Sequence, residues 1–458
     1  MATTQAHSSQ TGYRQAGDID VRAMSIISGS GQIVDIEGLV ADFSIFQDIE
    51  SHYMKCELVL NDSVGLMNTF IGNPDTKELG GFNGNEFLVI SFKSNSDDLP
   101  YKNHVFSLYQ LTDRQRAEER NEMYILSGIS TEAYSTAARK INRAYGRQGG
   151  NQICNMVQSV YNEFFNNPKI RGFYITLHRL AGVRVAKDFE CDLTNGLHRY
   201  IIPSLSVDDT VDFFADESDS DDHIPLYNFF ENSHGFRYKN ISNLVKQEPK
   251  EKFIYAPSNN TSEVGTASAN DDRTKMRSFY VKKQTNFLDN LDGGLYNTQS
   301  IHLDVLQKTK RVVDYTYEKS FDRFTTFHGL KIPGQSDSPS VVRLKTSDFG
   351  RDRDMKWQGE APLPKTITET AALTDAYSKH IFNTVVEVVL PGDSELDVGD
   401  VVLLQIPAAA ISNDQDGESD KYLSGSYLIT KLRHKMLGIN GDNFTTTLEC
   451  VKDTGFKV

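Results

Sequence analysis

Cysteine is scarce in this chain of 458 residues: Cys56, Cys154, Cys191 and Cys450 are the only four, and no two form a CxxC pair. That spacing disfavours a disulfide framework and a zinc knuckle, and leaves free thiols in a reducing compartment as the expectation. Tryptophan occurs once, at Trp357. No stretch approaches the roughly 20 consecutive apolar residues of a membrane span. The segment from Met1 to Gly17 is polar, rich in Ser, Thr and Gln, and lacks the apolar core of a signal peptide. It is expected to be a flexible tail on a protein made in the cytoplasm, with no membrane span.

Positive charge is also in short supply. Lys and Arg total 48 against 62 Asp and Glu, which gives a net charge of −14. A surface of that sign opposes the phosphate backbone, so sequence-specific or general nucleic-acid binding is disfavoured. Hydrophobic residues make up 38% of the chain and the mean hydropathy is −0.44. Such a composition suits a globular protein with real cores, and the length suits two to four domains of roughly 100–200 residues.

Signatures of catalysis are missing as well. There is no GxSxG, no HExxH and no P-loop. The 11 histidines are scattered without metal-ligand spacing. The acidic stretch Glu217–Asp222 lacks the Gly and the distal Glu of a calcium-binding loop. Asp292-Gly293-Gly294 has no following helix to complete a phosphate loop, so it reads as a turn. No catalytic, cofactor-binding or metal-ligating residue is assigned, and no cofactor is expected. The chain reads as a structural assembly protein and not as an enzyme.

What is present is mostly β. Short alternating or apolar stretches predict strands at Ile33–Ile36, Phe43–Phe46, Met54–Leu60, Phe87–Phe92, Val105–Leu111 and Met123–Ile129. In Met54–Leu60 the alternation places Cys56, Leu58 and Leu60 on one face. The charged run Asp113–Asn121 reads as a solvated hairpin tip. The period then changes: Ile153, Met156, Val157, Val160, Tyr161 and Phe164 predict an amphipathic helix from near Asn151 to Asn166-Asn167-Pro168. A second short helix fits Val207–Ala215, with Asp208 and Asp209 in its first turn. Leu226–Phe230 and Phe236–Lys239 form a hairpin about Asn232-Ser233-His234-Gly235.

Pro257–Lys275 reads as a loop, and strands resume at Ser278–Lys282, Thr298–Val305 and Arg311–Tyr317. Residues 331–365 read as irregular. Thr370–His380 can form a helix, and strands follow at Thr384–Leu390, Val401–Ile406, Ser426–Arg433 and Thr445–Val451.

The two β-rich ends resemble each other. Gly84–Phe92 and Gly399–Ile406 each place a turn before an apolar strand. A second strand follows in each, with Phe106, Leu108 and Leu111 spaced as Tyr427, Ile429 and Leu432. A polar hairpin and a third strand complete both sets, at Met123–Ile129 and Thr445–Val451. The pattern implies two copies of one small antiparallel barrel. Three such chains would present six similar barrels in a ring.

Four segments, in order, are similar to the baseplate central hub proteins of contractile-tailed bacteriophages. They are Phe43–Asp62 followed by Gly84–Phe92, Tyr200–Phe214 leading to Tyr227–Tyr238, Gly294–Asp304 leading to Val313–Tyr317, and Leu396–Val402 with Lys421–Thr430. The resemblance spans roughly residues 30 to 453 and leaves 1–17 and 331–365 uncovered. It implies a mainly β fold with α+β insertions, in which two related antiparallel β-barrels build a trimeric pseudo-six-fold ring.

By the same resemblance residues 18–132 are the first barrel, 133–250 an α+β domain, 251–275 a loop, 276–321 plus 380–453 a discontinuous second barrel, and 322–379 an inserted irregular and α segment. The implied function is that of a structural hub in the tail baseplate of a virion. It would be a homotrimer, with a tail tube protein or tube initiator above, a central spike protein below and baseplate wedge proteins around it. An acidic lumen would let DNA slide through without capture, although the charge could equally serve solubility. The alternatives are a hub-like tail protein with peptidoglycan hydrolase activity, or the hub component of a phage-derived contractile injection system.

Overall fold

The computed structural model describes residues 16–29, 31–66, 82–94, 99–118, 121–146, 150–220, 224–255, 273–305, 308–334, 338–346, 370–408, 419–438 and 444–454. Within them the protein is mainly β, and most of its strand pairs are antiparallel. Trp357 and most of the expected tail lie outside the described residues, as do residues 335–337 and 347–365 of the stretch read as irregular.

One sheet of 13 strands dominates. Its first part comprises β1 (Ile19–Ile27), β2 (Ile33–Asp35), β3 (Val40–Asp48), β4 (Lys55–Asp62), β5 (Glu86–Ser94), β6 (Lys102–Glu118) and β7 (Asn121–Ser130), in the spatial order β3-β4-β7-β6-β5-β1-β2. The alternation seen in the sequence holds: Cys56, Leu58 and Leu60 of β4 are buried beside Phe43 and Ile45 of β3, while Lys55 and Glu57 face out. The charged run Asp113–Asn121 falls where β6 turns back into β7, and its described residues are paired strand out to Glu118 opposite Asn121. Residues 113–118 extend β6 and 121–122 begin β7, and Arg114 Nη2 reaches Glu122 Oε2 at 2.6 Å across the two strands.

An α+β region follows β7. It holds α1 (Thr131–Ala137), β8 (Lys140–Tyr145), α2 (Ile153–Val160, prolonged by a π turn to Phe165), α3 (Pro168–Ala181), β9 (Asp188–Cys191), β10 (Tyr200–Ser206), α4 (Val207–Asp216), β11 (Tyr227–Asn232), β12 (Gly235–Asn240) and α5 (Ile241–Val245). Asn167-Pro168 ends one helix and starts the next. The Asn167 side chain accepts from the N–H groups of Lys169 and Ile170, and Pro168 fills the first helical position. The face of α2 packs with Phe165, Phe214, Phe229 and Phe236 into a separate aromatic core.

The expected loop 251–275 contains a strand, β13 (Glu251–Ile254). After β14 (Ser278–Gln284) and α6 (Phe287–Asp292) come β15 (Asn297–Asp304), β16 (Thr309–Thr316) and β17 (Val341–Thr346). These last three form their own sheet in the order β16-β15-β17, apart from the large one. The strands at 298–305 and 311–317 therefore do not join the large sheet, and 341–346 is not irregular. Completing the chain are α7 (Thr370–Ile381), β18 (Thr384–Pro391), β19 (Val401–Gln405), β20 (Gly425–Leu437) and β21 (Phe444–Lys452).

β13, β14 and β18–β21 belong to the large sheet, in an order that repeats its first part. Hydrogen-bonded neighbours run β3-β4-β7-β6-β5-β1 in one module and β14-β18-β21-β20-β19-β13 in the other. The outermost pairs differ, since β1 is antiparallel to β5 and β13 is parallel to β19. The inner pairs are all antiparallel, and one of their irregularities is shared. The β6–β7 register slips between Leu108 and Gln110, opposite Gly128 and Ser127. The β20–β21 register slips between Ile429 and Lys431, opposite Cys450 and Glu449. Superposing Phe106, Leu108 and Leu111 on Tyr427, Ile429 and Leu432 brings the two bulges onto each other. A bulge is one added residue that bends its strand, and a shared one is far less open to coincidence than shared apolar patterning. The glycines before the equivalent strands β5 and β19, Gly84 (φ +83°) and Gly399 (φ +91°), adopt the left-handed conformation their turns require.

All four cysteines are free; Cys56, Cys154 and Cys450 are buried and Cys191 is partly so.

Candidate functional site

The feature that sets this sheet apart is the joint between its two modules. Up to the bulge, β20 pairs with β19 through Gly425–Leu428. Beyond the bulge its free side passes to β3, with Lys431–Leu437 lying antiparallel to Asp42–Asp48. The ladder is reinforced by charge. Lys435 Nζ is 3.0 Å from Asp42 Oδ2, Lys431 Nζ is 3.6 Å from Asp48 Oδ2, and the Arg433 guanidinium donates to Ser44 Oγ at 3.0 and 3.2 Å. The same guanidinium lies 5.2 Å from the centre of the Phe46 ring. Exposed pairs of this kind contribute little each, about 0–1 kcal/mol, but they fix register.

Two reciprocal hydrogen-bond pairs lock the joint from inside. Gln47 Nε2 donates to Asp397 Oδ1 at 2.9 Å while Val398 N–H donates to Gln47 Oε1 at 3.1 Å. Ser94 N–H donates to Ser394 Oγ at 3.0 Å while Ser394 N–H donates to Ser94 Oγ at 2.8 Å. Asp397 also accepts from the Ser233 backbone at 3.1 Å and its hydroxyl at 2.6 Å, so one buried carboxylate ties both modules to the β11–β12 turn. Burial disfavours its charge, yet Lys102 and the hydrogen bonds from Ser233 and Gln47 outweigh that and hold the carboxyl below its usual range.

The cores also interlock. Phe444 and Met436, from the second module, belong to the first module's hydrophobic cluster. Phe444 meets Phe92 and His434 with ring centres 6.1 and 5.6 Å apart. Gly392 leaves the room for that ring, because a Cβ there would stand 1.9 Å from Phe444 Cδ1. Gly392→Ala is expected to lower stability by about 1–3 kcal/mol through overpacking. A shift in the urea midpoint at unchanged slope would register it, and an unchanged midpoint would show that the ring can move aside.

A second buried junction binds the first module to the α+β region. Lys187 Nζ lies 2.6 Å from Glu132 Oε2, from Glu231 Oε1 and from Ser130 Oγ. Glu231 Oε2 accepts from Met54 N–H at 3.0 Å, and Tyr174 donates to Glu132 Oε1 at 2.7 Å. Burial raises the Glu231 carboxyl, and the two carboxylates overcome burial to raise Lys187 well above its usual value. The third junction closes the C-terminal end. Asp453 accepts from Phe327 N–H at 2.8 Å and pairs with His328 Nδ1 at 2.8 Å, which fastens the segment after β16 to the end of β21.

Each of these buried groups spans a boundary between structural parts. Among the described residues no group of three or more His, Cys, Asp and Glu is placed to hold a metal ion. Of the acidic stretch Glu217–Asp222, Ser218 is tied to Tyr238 at 2.6 Å and Asp219 is buried, while residues 221–223 lie outside the described residues. Sequence reasoning missed Gln47, Asp397, Ser94, Ser394, Lys187 and Asp453. Their partners across these junctions lie 44 (Lys187 to Glu231) to 351 (Gln47 to Val398) positions away, and no local signal marks them.

No protein-family model and no curated protein matches the sequence. Solved structures do. A tail protein from Neisseria meningitidis MC58 matches with a TM-score of 0.50 over 94% of this chain and 96% of its own, at 9% identity. The 43 kDa tail protein of prophage MuSo2 from Shewanella oneidensis matches with a TM-score of 0.50 over 94% of this chain and 98% of its own, at 9% identity. The chain therefore has the fold of these tail proteins, as its resemblance to baseplate hub proteins implies.

Proposed function

We propose that this chain is the structural hub of a phage-type tail baseplate, a homotrimer that joins a six-fold tail tube to a three-fold central spike. The observation that carries the reading is the repeated module. One chain holds two modules of the same strand order that share a bulge, side by side in one continuous sheet. Three copies present six such modules, so an assembly of three-fold symmetry can meet a six-fold one through near-equivalent contacts. The tail-protein fold supports the same reading. The modules fit the tube-facing role, and the α+β region between them fits contacts to the spike and to neighbouring baseplate proteins. The net charge of −14 suits a passage that DNA crosses without capture.

The test is the molar mass of the purified chain by light scattering across a concentration series, alone and with the candidate spike protein. A mass near three times 51.5 kDa in either condition is the expected result. A monomer under both conditions, with no spike complex, overturns the proposal.

A further inference from the structure

Two strand edges of the large sheet match the two edges that meet at its internal joint. β14 is equivalent to β3, and it stands at the end of the sheet with β18 on one side only among the described residues. Its residues are exposed or half-buried, and Tyr280 is 66% exposed. β6 is equivalent to β20. It pairs with β5 only from Lys102 to Leu108, so beyond the shared bulge its outer side faces no other strand among the described residues. Gln110 and residues 113–116 are exposed there. The described sheet thus carries one β3-like edge, at β14, and one β20-like edge, along the outer half of β6. A free strand edge is a template for pairing, and one edge here has the form of the other's partner.

We propose that β14 of one copy pairs antiparallel with the outer half of β6 of the next, repeating between copies the joint that β3 and β20 make within one. This rests on the homotrimer reading for its copy number. The contact is head to tail, and such contacts close into a ring when the rotation allows. The repeat also fixes the register. Thr112 occupies the position of Arg433, and Lys283 that of Phe46, because Thr112 faces Ile125 as Arg433 faces Thr447, and Lys283 faces Val385 as Phe46 faces Lys55. Arg433 pairs with Phe46 and Leu432 with Gln47. Thr112 of one copy is therefore opposite Lys283 of the next, and Leu111 opposite Gln284.

The test mixes two full-length variants, each with one added cysteine, under mild oxidation: Thr112→Cys with Lys283→Cys, and separately Leu111→Cys with Gln284→Cys. Adjacent antiparallel pairs alternate between hydrogen-bonded and closer non-hydrogen-bonded geometry, so one of the two mixtures holds a pair suited to a disulfide. That mixture should give at least about tenfold more cross-linked dimer than Thr112→Cys with Phe279→Cys, whose cysteines would lie roughly 10 Å or more apart. Light scattering is run on the same samples. A trimer in which neither mixture exceeds the control overturns the strand pairing and leaves the trimeric hub standing. A monomer overturns both. Cross-linking in the predicted mixture within a trimer supports the joint and its register.

Discussion

Lys187→Met should cost the protein about 3–5 kcal/mol, the usual penalty for removing one partner of a buried ion network. Glu132 and Glu231 would then face each other with no cation between them, in a site where their side chains are 3% and 0% exposed. The triple variant Lys187→Met, Glu132→Gln, Glu231→Gln should recover most of the loss. Its amides keep acceptors for Met54 N–H and Tyr174 Oη–H and carry no charge to bury. Urea unfolding of the three proteins measures both changes. A Lys187→Met variant within 1 kcal/mol of the parent would mean that the carboxylates simply protonate, and that the network sets little of the stability.

Acid should unfold the protein through buried histidines. His104 is held down to about 3, and His434 and His380 to about 4, in each case chiefly because burial disfavours the imidazolium. An unfolded histidine titrates near 6.5. Between that value and the depressed one the unfolded chain binds more protons, so stability is full above pH 6.5 and falls as pH drops toward 4. Each group contributes a loss of about 3 kcal/mol or more across that window. Glu231 and Asp400, whose carboxyls burial raises, work in the opposite direction, so the test isolates one histidine. The His104 ring lies between Phe92 and Phe106, with centres 5.8 and 6.0 Å away. His104→Phe keeps a ring there and removes the proton site, so it should move the acid midpoint to lower pH. A midpoint unchanged by that substitution would show that another group drives the transition.

How far the fold could be read in advance depended on the range of the signal. Period-two alternation placed β4 because its buried face is continuous, and the apolar stripe placed α2 because all its apolar residues meet one aromatic core. The internal repeat was visible as three strands and a turn, but the shared bulge was not, since register exists only between paired strands. α3 escapes the sequence reading because Asn167-Pro168 reads as a stop, although it also caps the next helix. Only Ile170 and Leu177 of that helix are buried, too few to show a stripe, while Ile175 and Leu180 are exposed. The extension of β6 past Asp113 was hidden by its charges, which are harmless on a strand that faces outward. The joint itself had no local trace at all, being made of residues that are unremarkable in their own neighbourhoods.

The joint also imposes a timetable on the protein's synthesis. Arg433 reaches Ser44 across 389 positions of chain. At about 5–20 residues per second, β3 would wait roughly 20–80 s after leaving the ribosome before β20 could cover its edge. During that interval the first module would carry an open strand beside a hydrophobic cluster still lacking Met436 and Phe444. Nascent chains would then be at their stickiest while crowded on one messenger, where premature contact between neighbours is a hazard. The same delay has a use: a polypeptide broken off before Gly425 never acquires β20, and so never closes the joint between its two modules.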